Sequence, residues 1–194
     1  MRKEKLKTKD YITAGAFCAL YVVILVILGS VFSFIPIVFL MAPLYIGIIE
    51  GPIYMLYVTK VRKKGAIFIL SILCGFILSQ MSWLPVLWAI IFGLIAEGII
   101  YLGKYKSQSK YLLSYCIYNC ISMGPFLALF VAKEKTLSLY TPYYDAKYIE
   151  TMSQLIQPWM FFVIIGVALI GGFLGGRLSK RVLRKHFVES KITV

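Results

Sequence analysis

Long apolar runs alternate with short clusters of lysine and arginine along this chain. No charge falls between Asp10 and Glu50. One helix over that span would be ~58 Å long at ~1.5 Å per residue, about twice the ~30 Å thickness of a bilayer's hydrocarbon core. The run must turn back on itself, and the breaker residues from Gly29-Ser30 to Pro36 mark the place. The pattern predicts helices over 11–29 and 34–59, the second kinked at Pro43 and at Gly51-Pro52. After Lys60, Arg62, Lys63 and Lys64, a second stretch from Gly65 to Gly103 carries Glu97 as its only charge. Its polar break Ser79-Gln80-Met81-Ser82, followed by Trp83 and Pro85, divides it into helices over 66–78 and 84–102. Beyond Lys104, Lys106 and Lys110 a fifth helix is predicted over 111–131. After a polar outer loop, 133–157, a sixth is predicted over 158–178, with Pro158 suited to a first helical turn. The expected fold is all-α: a single polytopic membrane domain over residues 1–194 with six transmembrane helices.

Composition supports a membrane location. Apolar residues make up 60% of the chain and charged residues 15%, against about 45–50% and about 25% in soluble domains. The net charge of +13 does not indicate nucleic acid, because the basic residues sit in clusters between apolar runs. Eighteen lysines and arginines fall in the N-terminal segment, the 60–64 and 104–110 loops and the tail from Arg177, against Lys133, Lys135 and Lys147 on the other side. That asymmetry places both termini in the cytoplasm and requires an even number of passes. The cytoplasmic loops are too short to house an ATPase, and no G-x-x-x-x-G-K-[ST] loop is present.

Catalytic signatures are missing from the sequence. The only histidine, His186, lies in the basic tail, and no G-x-S-x-G or H-E-x-x-H motif occurs. Neither a catalytic residue, nor a cofactor, nor a metal site is expected. Cys18, Cys74, Cys116 and Cys120 all lie in apolar runs, where helix packing accounts for them better than a disulfide framework. The intramembrane carboxylates are Glu50 and Glu97. Glu97 is close enough to Lys104 to snorkel or pair with a basic loop, whereas Glu50 lies deeper and calls for protonation, pairing or an internal polar site.

Small residues form two faces. Gly15-x-x-x-Ala19 lies on the first helix, and Gly171, Gly172, Gly175 and Gly176 form a doubled G-x-x-x-G on the last. Such faces admit another backbone closely, either within the bundle or on another subunit. The outer side concentrates Tyr140, Tyr143, Tyr144, Tyr148, Gln157 and Trp159, with Gln80 and Trp83 from the 79–83 turn and Asn119 from the fifth helix. Aromatic, amide and methionine side chains gathered in this way suit a cavity for a flat, partly apolar ligand. Gln80, Trp83, Asn119, Tyr143, Tyr144, Gln157 and Trp159 are the candidate substrate-binding residues, and 133–157 the candidate lid.

The run KTKDYITAGAFCALY from Lys7 to Tyr21, GPIYMLYVTKV from Gly51 to Val61, Gly103 to Lys106 with Leu113 to Cys116, and the Gly-rich last helix leading into Lys180-Arg181 resemble one family over nearly the whole chain. It is the Trep_Strep (MptD-like) group of S components of energy-coupling factor (ECF) transporters. The resemblance implies an S component that captures a scarce nutrient outside the cell. It would then dock through its first helix on a transmembrane T component carrying two cytoplasmic ATPases. The family's Ala-x-x-x-Ala motif reads Gly15-x-x-x-Ala19 here. No His-rich N-terminal sequence is present, which argues against cobalt or nickel as cargo. A vitamin-like or flat aromatic compound, haem included, fits the outer residues. The rival readings are a self-contained secondary transporter or channel, for which Glu50 and Glu97 are sparse material, and a membrane enzyme, for which no polar catalytic cluster is found.

Overall fold

The computed structural model describes residues 8–189, and side chains over 12–180. Arg2, Lys3, Lys5, Lys7 and Lys191 lie outside the described residues, as do the side chains of Lys9, Arg181, Arg184, Lys185 and His186. The described residues are all-helical: α1 (Thr8–Val31), α2 (Pro36–Leu40), α3 (Ala42–Lys60), α4 (Ala66–Leu78), α5 (Leu84–Leu102), α6 (Gln108–Tyr118), a 3-10 segment (Asn119–Phe126), α7 (Leu127–Val131), α8 (Lys133–Tyr140), α9 (Ala146–Leu155) and α10 (Met160–Glu189). Among the described residues, four stretches are long and apolar enough to cross a membrane: Ile12–Val31, Leu84–Leu102, Gln108–Val131 and Met160–Lys180. Between the first two, α3 has 19 residues and α4 only 13.

The rods alternate in direction. Phe17 meets Tyr57 and Phe32 meets Tyr45, so α1 and α3 are antiparallel. The α4–α5 pair closes through glycines: a Cβ at Gly75 would lie 2.7 Å from that of Ala89, and one at Gly93 would run into Ser71. α5 is tied to the next rod by Ser114 Oγ donating to Ala96 O at 2.8 Å and Trp88 Nε1 donating to Cys120 O at 2.9 Å. The 60–64 and 103–110 loops and the Arg177–Lys180 turn of α10 therefore gather at one end of the bundle. The 33–36 turn and the 133–157 segment gather at the other.

The rod made of α6, the 3-10 segment and α7 is the centre of the bundle. In its membrane-length stretch 72% is buried, against 17% for α1, which lies at the periphery on α3 and α4. Around the centre pack Tyr54, Tyr115 and Tyr118, with ring centroids 4.8 Å apart in each pair that Tyr54 makes. Tyr54 and Ser114 share a 2.7 Å hydrogen bond, and Tyr115 donates to Gly47 O at 2.6 Å. Tyr118 donates to Cys74 Sγ at 3.4 Å, so each of these three phenols has a partner, as a low-dielectric interior requires.

Three expectations differ from the structure, and the first is the helix predicted over 111–131, which passes through the 3-10 segment Asn119–Phe126 between α6 and α7. The second apolar run is not one helix over 34–59. It breaks at Met41, and Pro43 sits in the first turn of α3, where its missing N–H leaves no carbonyl unpaired. The 133–157 segment is not an irregular loop but the helix pair α8 and α9. Asp145 caps α9, its carboxylate accepting from Tyr148 N at 2.7 Å.

Candidate functional site

The α8–α9 pair forms a cap on the bundle end away from the basic loops. Its inner face buries Thr136, Leu137, Tyr140, Tyr148, Met152 and Ile156. Lys133 Nζ donates to Ile156 O at 3.0 Å, which closes the pair on itself. Tyr148 fastens it to the turn after α1 by donating to Ser33 O at 2.9 Å. Burial pushes the Tyr140 hydroxyl up to about 12 and holds that of Tyr148 well above its ordinary range, so both stay protonated and Tyr148 stays a donor. Tyr144 stacks on Tyr148 with ring centroids 4.1 Å apart and 16° between the planes. Against this stack opens a cleft of about 330 Å³, whose walls include Phe34, Pro36, Tyr143, Asp145, Lys147 and Thr151. It offers aromatic faces with one carboxylate and one ammonium at the rim. That combination suits a small ring compound bearing polar groups.

Of the sequence-derived binding residues, this cleft brings together Tyr143 and Tyr144 and no others. Trp83 and Trp159 are 66% and 59% exposed and do not line this cleft, while Gln80 and Gln157 are exposed as well. Gln157 donates to Gln154 O at 3.2 Å, within its own turn. Asn119 is deep in the bundle at 2% exposure. Its Nδ2 donates to Pro43 O at 2.8 Å and to Ala168 O at 2.7 Å, clasping α3, the central rod and α10 together. Phe34, Asp145, Lys147 and Thr151 were not singled out from the sequence as ligand residues. Only the Tyr-rich composition of the segment pointed to them.

The two carboxylates are placed differently. Glu97 is buried, and among the described residues its recorded partners are backbone amides and a phenol. Its Oε1 accepts from Gly65 N at 2.9 Å and from the Tyr105 hydroxyl at 2.7 Å, and its Oε2 accepts from Ile67 N at 3.0 Å and Phe68 N at 3.4 Å. It caps the first turn of α4, where amides without helical partners and the helix dipole favour an anion. Burial and the adjacent carboxylate hold the Tyr105 phenol above its usual range. Tyr105 O in turn accepts from the Tyr111 hydroxyl. Lys104 and Tyr105 have φ of 51° and 54°, a left-handed pair held by these bonds. Glu50 has 0% exposure, and neither of its oxygens meets a hydrogen-bond partner.

The small-residue faces also part. Gly15 and Ala19 are exposed on the outside of α1, and a Cβ at Gly15 would meet nothing within 4 Å. Gly171, Gly172, Gly175 and Gly176 are buried, which corrects their assignment as a docking surface. A Cβ at Gly171 would lie 2.6 Å from Pro43 O, and one at Gly172 would lie 2.8 Å from Cys116 Cα. Gly175 packs on the backbone of Gly47 and Gly51, and Gly176 on Leu112. The last helix thus uses its glycines against α3 and α6, where Gly47-x-x-x-Gly51 supplies the complementary groove. That partner motif is visible as spacing in the sequence, where Gly51 alone is read, as part of the kink expected at Gly51-Pro52.

No curated protein and no solved structure matches the chain. A family model described as "Hypothetical bacterial integral membrane protein (Trep_Strep)" matches residues 8–189, nearly all of it. With four helices of membrane-crossing length, the chain is a multi-pass bacterial membrane protein, and it belongs to the Trep_Strep family.

Proposed function

We propose that this protein is the substrate-binding S component of an ECF importer, crossing the membrane six times with both ends cytoplasmic. It takes up a small nutrient in the outer cleft and docks through α1 on a T component that carries two ATPases. The observation that supports this most is the open Gly15/Ala19 face. The glycines of α3 and α10 at 47, 51, 171, 172, 175 and 176 pack within the chain, whereas Gly15, like Gly29, Gly98 and Gly166, meets nothing within 4 Å, and Ala19 lies exposed one turn further along the same face. A side-chain-poor face lets a partner backbone approach, and packing is a main source of association in lipid. The 60–64 and 103–110 loops leave no room for a nucleotide-binding domain, so ATP-driven transport would draw its energy from another subunit.

The cleft supports the substrate class. At about 330 Å³ it lies at the lower end of the ~300–1,000 Å³ range of small-molecule sites. A vitamin-sized ring compound fits that volume better than a porphyrin such as haem. The Tyr144–Tyr148 stack supplies the flat wall, and Asp145 and Lys147 give opposite charges for polar substituents.

A second reading draws on one observation, the unpartnered Glu50 at the bundle centre. A self-contained secondary transporter would place a coupling carboxylate there. The double variant Gly15→Leu with Ala19→Leu separates the two. Both positions have room in the isolated chain, so folding and ligand retention should survive while association with the T component and ATP-driven uptake are lost. Uptake equal to wild type would mean that the face meets only lipid, and the docking reading would fail.

A further inference from the structure

A second, much smaller cavity lies inside the bundle, between α1, α3, α4 and the start of the 3-10 segment. Its volume is about 10 Å³, close to that of a single water-sized sphere. The polar side chains on its wall are Tyr21, Glu50, Cys74, Tyr118, Asn119 and Ser122. Three buried acceptor atoms there lack a hydrogen bond: both carboxylate oxygens of Glu50 and Oδ1 of Asn119.

The orientation of Asn119 is fixed by its neighbours. Its Nδ2 donates to two carbonyls, Pro43 O and Ala168 O. Turning the amide over would set oxygen against oxygen and lose both bonds, so Oδ1 must face the cavity as an acceptor. Ser122 has its proton engaged in a 2.6 Å bond to Asn119 O, and its remaining lone pairs are acceptors too. Tyr118 directs its proton at Cys74 Sγ, 3.4 Å away. Tyr21 brings its hydroxyl near Glu50, but one donor cannot serve three acceptor atoms. No lysine or arginine lines the space.

The cavity is thus rich in oxygen acceptors and poor in donors, and it is negative when Glu50 is ionised. A water molecule would supply protons for hydrogen bonds but no charge, and an ionised carboxylate at this depth needs either a proton or a cation to offset it. We infer that Glu50, Asn119 and Ser122 bind one sodium-sized monovalent cation in this cavity. Hard oxygen ligands suit such an ion, as they suit other hard cations. The rod's α-helix gives way to 3-10 geometry at Asn119, and interrupted membrane helices are places where ions are coordinated. This inference stands apart from the importer reading and survives its failure.

The test is equilibrium binding of radioactive sodium to the purified, detergent-solubilised full chain, with choline chloride holding ionic strength constant. The account expects saturable binding of one ion per chain, lost in Glu50→Gln and retained in Glu150→Gln on the exposed cap. Should Glu50→Gln fail to fold, Ser122→Ala takes its place and is expected to weaken sodium binding at least several-fold. Absence of saturable binding in folded wild type overturns the inference, as does unchanged binding in Glu50→Gln or, in its stead, in Ser122→Ala. A Glu50→Gln protein as stable as a sodium-indifferent wild type would mean that a proton and a water fill the site instead.

Discussion

The Glu97 junction gives the most quantitative prediction. Its carboxylate accepts four hydrogen bonds, from three backbone amides at the start of α4 and from Tyr105. In Glu97→Gln the shape is kept, but one oxygen becomes an amide NH2 group, a donor that must face one of the two donor pairs. Facing Gly65 N and Tyr105 is the milder choice, because the hydroxyl can rotate to accept. The Gly65 amide is then left without an acceptor, at a penalty of about 1–3 kcal/mol, and the remaining bonds weaken as the charge goes. The total is about 2–4 kcal/mol. A chain of this size shifts its midpoint by about 2–4 °C per kcal/mol, so unfolding should come about 4–16 °C earlier. The protein carries its own reporter: Cys18, Cys74 and Cys120 are buried free thiols, and a thiol-reactive fluorophore reads their exposure on heating in detergent. Tyr105→Phe removes one of the four bonds and should lose about 1 kcal/mol. A Glu97→Gln midpoint within about 1 °C of wild type would refute the cap, since so small a shift leaves no room for even one lost charged hydrogen bond.

Other consequences can be checked in the same preparation. Gly175→Ala should lower the thermal midpoint by several degrees, because its Cβ would collide with the backbone of Gly47, whereas Gly15→Ala should leave it unchanged. Tyr148→Phe removes the bond to Ser33 O and should loosen the cap by about 0.5–1.5 kcal/mol, read as faster amide exchange over 146–155 with the bundle core unaffected. Tyr143→Ala with Tyr144→Ala should reduce the small molecule retained on purified protein, measured by mass spectrometry. Equal retention would remove the cleft from the account. For topology, a cysteine at Gln108 should be shielded from an impermeant reagent in whole cells and one at Thr141 should react. The opposite pattern would invert the orientation.

What was legible in the sequence were the features set by hydrophobicity over long windows. Stretches with no charge from Tyr11 and Met160 onward, and with Glu97 as the only one from Leu84, fold as long apolar helices because a helix satisfies its own backbone in lipid. The 3-10 segment was legible only in part: Pro125 lacks an amide proton and breaks an α-helical ladder, while Trp88 donating to Cys120 O from α5 is a contact that local periodicity does not carry. The cap was readable in principle. Asp145 three residues before Tyr148 is a helix start, and Tyr148, Met152 and Ile156 recur at helical spacing, but α8 and α9 are short and polar enough to pass for a loop. The site was least legible. Aromatic residues at the membrane boundary have similar sequence signatures whether they line a cleft, as Tyr143 does, or stand free, as Trp83 and Trp159 do. The glycines of α10 illustrate the same limit: a small-residue face requires a close neighbour, and only the position of Gly47 and Gly51 opposite says that the neighbour is in the same chain.

The central claim is that this chain works as one subunit of an ATP-driven importer. Affinity purification of the tagged protein from its native membranes in mild detergent, with the co-purifying subunits quantified by mass spectrometry, tests it most directly. The account predicts a transmembrane T component together with a pair of ATPase subunits, both lost from the Gly15→Leu, Ala19→Leu variant. Recovery of the wild-type chain free of any ATPase would contradict it.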